Sequence, residues 1–117
     1  MLCIELSADL LYEDLTLARE RVEAIRAMGV KVAIGEVGDE FCPVFRLSAL
    51  PFDYAFLDAY AVEHLTHDDA EQSVGALIAY LHSLQARVIA PEAGDAQIER
   101  ARALGCDGYT AAQEGVS

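Results

Sequence analysis

Acidic residues stand at the ends of four short apolar runs: Glu5 within MLCIELS, Glu36 after VKVAIG, Asp58 after FDYAFL and Glu92 after RVIAP. Asp39 and Glu40 follow shortly after Glu36. Carboxylates gathered from several chain segments are the ligand set a hard divalent cation such as Mg²⁺ takes, and a pair of such cations can activate water for attack on a phosphoester. One acid per run suggests this chemistry without specifying it. An acidic chain also places carboxylates in loops by composition alone, so solvated loop acids are the competing reading, and on spacing alone it is the stronger one.

For acids so distant in the chain to meet, the runs that carry them must be neighbouring strands ending on one side. The pivotal stretch is Val30–Phe41: Val30, Val32, Ala33, Ile34 and Val37 read as a strand buried on both faces, and Gly35, Glu36, Gly38, Asp39 and Glu40 as its C-terminal loop. Met1–Ser7 reads as an earlier strand. Between them Asp14 or Thr16 can cap a helix running to Met28, with Leu15, Ala18, Val22, Ile25 and Met28 on one stripe and Gly29 as its stop. Pro43 opens and Pro51 closes a short helical segment, and Phe52–Tyr60 is a third strand. A helical turn over Ala59–Leu65 precedes a helix from His67, Asp68 and Asp69 to Leu84, whose Val74, Leu77, Ile78 and Leu81 face inward. Arg87–Ala90 is the fourth strand, Asp95–Leu104 a helix stopped by Gly105, and Gly108–Ala111 a weak fifth strand. This alternation predicts an α/β fold, a parallel sheet of four to five strands with flanking helices joined by right-handed crossovers. In such folds ligands meet the carboxyl ends of the strands, where these acids fall.

Composition narrows the function classes. The 117 residues are 54% apolar, enough for a core in one domain, and the sequence carries 20 acidic against 8 basic residues for a net charge of −12. That surface repels nucleic-acid phosphates and anionic membranes, so nucleic-acid binding is not expected. With no 18-residue apolar run and no basic leader, the chain reads as a cytoplasmic protein without a membrane segment. Cys3, Cys42 and Cys106 form no CxxC and are expected to be free thiols serving as small buried hydrophobes. His64, His67 and His82 lack metal-pair spacing, no serine sits in GxSxG, and the five tyrosines are expected to pack in the core away from basic residues.

Several stretches resemble, in order and at nearly the same spacing, the second half of the EAL domains that hydrolyse cyclic di-GMP. They are LCIELSADLLYED, AMGVKVAIGEVGDEF, LSALPFDYAFLD, HSLQARVIAPEA and IERARALGCD. The resemblance implies a single partial domain over residues 1–117 that forms half of an EAL-type TIM barrel. It also implies a site using Mg²⁺ or Mn²⁺. Position by position, Glu5 matches a metal-ligand glutamate, whereas Ala8 replaces that segment's second glutamate. Gly35 and Glu36 stand where the family has two adjacent metal-binding aspartates. Phe56 stands at the lysine that helps orient the attacking water, Asp58 matches the aspartate two residues later, and Pro91 falls at the late catalytic glutamate with Glu92 beside it. The family's Glu-Ala-Leu signature and asparagine ligand have no counterpart in these residues.

Members of a two-metal constellation act as a unit, so losing several is expected to abolish catalysis. The resemblance then implies a degenerate signalling or protein-interaction module with no catalytic residue. In it Glu5, Glu36, Asp58 and Glu92 form a vestigial rim, and no cofactor is expected unless that rim still takes Mg²⁺ or Mn²⁺. The alternative is residual metal-dependent binding or hydrolysis of cyclic di-GMP. Half a barrel also leaves open edges and an inner face lined by side chains such as Ile4, Val32, Ile34, Leu57, Val88 and Ile89, some of which are expected to point into the barrel centre, so the chain is expected to form a homodimer or to bind another signalling protein.

Overall fold

The computed structural model describes residues 3–12, 14–38, 42–63, 68–91 and 94–109. Five parallel strands, β1 (Cys3–Ser7), β2 (Lys31–Val37), β3 (Tyr54–Leu57), β4 (Arg87–Ala90) and β5 (Gly108–Tyr109), form one sheet in the order β1-β2-β3-β4-β5. The helices are α1 (Leu15–Ala27), α2 (Ala59–Glu63), α3 (Asp68–Ser83) and α4 (Asp95–Ala103). Two 3₁₀ segments, Ala8–Tyr12 and Val44–Ala49, follow β1 and β2. The first was not foreseen; the second replaces the expected short helix. The Arg46 guanidinium ties them together by donating to the Leu11 carbonyl at 3.0 Å.

When parallel strands follow one another in chain order, each right-handed crossover passes over the same face of the sheet. All helices therefore lie on one side, which excludes a doubly wound arrangement with helices on both sides. The shortest dimension, 21 Å, suits one helix layer on one sheet. The core is the seam between these layers: Val32, Ile34 and Val37, Ala55 and Leu57, and Val88 and Ala90 pack against Val22 of α1, Ile78 and Leu81 of α3, and Ala101 of α4.

That placement corrects the expected inner face. Residues paired across a parallel ladder point the same way, and Ile4 pairs with Val32, Leu6 with Ile34 and Ala55 with Val88. Val32, Ile34, Leu57 and Val88 belong to the helix-side core, and Ile4 shares their side. Of these six, some of which are expected to point into a barrel, Ile89 alone does so. It shares the open face with Glu5, Ala33, Tyr54, Phe56 and Arg87. A run apolar at every position does not reveal which alternate residues face which way.

Caps and brackets set the element ends. Asp14, rather than Thr16, caps α1: its Oδ1 accepts from the Thr16 amide at 2.9 Å and the Leu17 amide at 3.5 Å. Helices α3 and α4 end alike, with the Ala86 amide donating to the Leu81 carbonyl and the Cys106 amide to the Ala101 carbonyl. Both motifs need a left-handed residue. At α4 it is Gly105, φ 114°, but at α3 it is Gln85, φ 65°.

Two aspartates hold the strand starts in the same way. The Asp53 amide donates to the Val32 carbonyl at 2.8 Å, while its Oδ2 accepts from the Val32 amide at 2.9 Å and its Oδ1 from Arg26, in the last turn of α1, at 3.2 Å. The Asp107 amide donates to the Val88 carbonyl at 2.8 Å, and its Oδ2 accepts from the Val88 amide at 2.8 Å and lies 2.9 Å from His82 Nε2, in the last turn of α3. Partial burial by itself raises the Asp107 pKa, but the Val88 amide, the His82 hydrogen bond and the charges of His82 and Arg87 outweigh it and hold the carboxyl below 3.8.

Gln85→Gly is expected to stabilise the fold by about 1 kcal/mol by relieving a left-handed non-glycine residue. Gly105→Ala is expected to cost at least about 1 kcal/mol for the same reason, and its Cβ would also meet Ile78 Cγ2 at 3.3 Å. Urea melts with unchanged slope measure both. The lowered Asp107 pKa stabilises the fold fully above the ordinary aspartate range, and this is lost as pH falls through 3.8 and then through the folded-state value. Asp107→Asn is therefore expected to lower stability at pH 7 by about 1 kcal/mol, a modest value because solvent screens the half-exposed pair. The gap to wild type should narrow in acid; an equal gap at pH 7 and pH 3 would contradict the assignment.

Candidate functional site

Pairing between β2 and β3 slips by one residue: Ile34 faces Ala55, but Val37 faces Leu57. Gly35 and Glu36 are thus a β-bulge opposite Phe56, and Glu36 takes the left-handed conformation that the bulge demands, φ 58°. The bulge turns Glu36 toward the open face just before the strand ends. There it meets Ser7 of β1, whose Oγ donates to Glu36 Oε1 at 3.0 Å and accepts from the Asp9 amide at 3.2 Å. Ser7 was not singled out in the sequence. Its signal is parity, since it lies two residues beyond Glu5 and so on the same side of β1.

Glu5 lies opposite Ala33, one step short of Ser7 and Gly35. Its carboxylate rests on Gly35, where an added Cβ would come within 2.6 Å of Glu5 Oε2. Asp58, just past β3, accepts through Oδ2 from the Tyr60 amide at 3.0 Å and the Ala61 amide at 3.3 Å. It therefore caps the first turn of α2.

Glu5, Glu36 and Asp58, expected at strand ends, all line one open cavity of about 460 Å³ at the C-terminal edge of the sheet. Phe56, Leu57, Ala59 and Pro91 complete its wall. Glu92, the fourth rim acid, and Asp39 and Glu40 lie outside the described residues. The three carboxylates share the cavity without converging: among the described residues, no three His, Cys, Asp or Glu side chains are grouped to hold a metal ion. Each is held by its own neighbour: Glu5 lies against Gly35, Glu36 accepts from Ser7 and Asp58 accepts from the first amides of α2.

The remaining candidates sit elsewhere. Cys3 is exposed, and Cys42 and Cys106 are half-buried, so none is the fully buried hydrophobe expected. Burial, with the Asp107 charge beside it, pushes the Cys106 thiol up to about 11, which keeps it protonated and a poor nucleophile. Tyr12, Tyr60 and Tyr109 are exposed instead of packed in the core. Arg102 stacks 5.1 Å from the Tyr109 ring centroid, a pairing with a basic residue that was not expected. Among the described residues, no helix is long and apolar enough to cross a membrane.

Comparisons with known proteins agree on one family. The EAL domain profile matches residues 1–110. An uncharacterized signaling protein of Caulobacter vibrioides is 30% identical over 88 residues, which is 74% of this chain and 11% of that protein. Among solved structures, the PaMucR phosphodiesterase in complex with c-di-GMP is 26% identical with a TM-score of 0.78, covering 89% of this chain and 43% of that one. The FimX EAL domain of Pseudomonas aeruginosa bound to c-di-GMP gives 20% identity and a TM-score of 0.79 over the same shares, a likeness of fold. The chain thus spans less than half of these solved chains and about a tenth of the curated relative. With five parallel strands in chain order, helices on one face and acids at the C-terminal rim, it belongs to the EAL domain family, related to cyclic di-GMP phosphodiesterases.

Proposed function

We propose that this chain is a catalytically degenerate EAL module, one partial domain over residues 1–117, that acts in the cytoplasm through protein contacts within cyclic di-GMP signalling. The observation that carries this reading is the contact of Glu5 with Gly35. Where the family resemblance places a metal-binding aspartate, Gly35 offers no side chain, and the retained ligand Glu5 lies in the vacant space. The neighbouring Glu36 accepts a hydrogen bond from Ser7, and Asp58 caps α2. Phe56 brings an apolar ring to the cavity wall where the resemblance places a water-orienting lysine. A two-metal hydrolase loses most of its rate when single members of its constellation are removed, and several are substituted here.

A second reading, residual metal-dependent binding of cyclic di-GMP, draws on one feature: Glu5, Glu36 and Asp58 still line one cavity. The purified chain is expected to hydrolyse no cyclic di-GMP above blank with Mg²⁺ or Mn²⁺. Turnover that disappears in Glu5→Ala would overturn the degenerate reading. Titration of labelled cyclic di-GMP with Mg²⁺ or Ca²⁺, then with chelator, is expected to give no metal-dependent signal; binding that the chelator reverses would establish the second reading.

A further inference from the structure

We draw no further inference here: the strongest candidate, the aromatic surface patch on the helix side where the exposed Phe45 of the second 3₁₀ segment packs edge-on against Tyr80 of α3, carries nothing because nothing in the structure shows what covers it.

Discussion

A right-handed crossover between parallel neighbours has only one way round, and a sheet whose strands keep chain order must repeat it at every step. The constraint sorts the whole molecule. Every helix goes to one face, so every large aliphatic side chain needed for the core must point there: Val32, Ile34, Leu57 and Val88 from the strands, Val22, Ile78 and Leu81 from the helices. The other face receives the alternate positions, where Gly35, Ala33, Ser7 and Glu5 are small or polar. An accessible site and an uncovered surface both follow from this separation.

The two ends of the strands are built for different work. At the N-terminal end, Asp53 and Asp107 each bind both backbone groups of the second residue of the preceding strand, and each takes a basic partner, Arg26 or His82, from the last turn of a helix. The Arg26 guanidinium there also complements the partial negative charge of the end of α1. The two brackets repeat one β-α unit along the chain and set strand register without drawing on the opposite end. The C-terminal end is then free to carry a cavity, as in other barrels where stability resides at the bottom and function at the top.

At that upper end a single missing side chain reorganises its neighbours. Gly35 is buried, and the space above its Cα is taken by Glu5. Because Gly35 sits in a bulge, the next residue is forced into a left-handed turn, which delivers Glu36 to Ser7 rather than to a shared point with Glu5 and Asp58. Three acids thus line one cavity through three separate local arrangements: a contact across a glycine, a hydroxyl hydrogen bond and a helix cap.

Much of this is written locally in the chain. A short apolar run closed by Pro91 identifies β4 to the residue, and a period of 3.6 residues places α1, α3 and α4 within a turn, because both are properties of neighbouring residues. Asp14, Gly29 and Gly105 mark helix ends through chemistry confined to a few positions. The order of resembling stretches is likewise enough to name the family. What the tertiary structure decided involves partners far apart in sequence. Strands apolar at successive positions carry no mark of which face is which, so the assignment of Ile4, Val32, Ile34, Leu57 and Val88 awaited the packing of helices on one side. The bulge at Gly35 and Glu36 exists only against Phe56, the capping role of Asp58 only beside α2, and the brackets at Asp53 and Asp107 only once strands 21 and 19 residues away lie alongside. Their hydrogen bonds are set by register between strands, which no window of neighbouring residues contains.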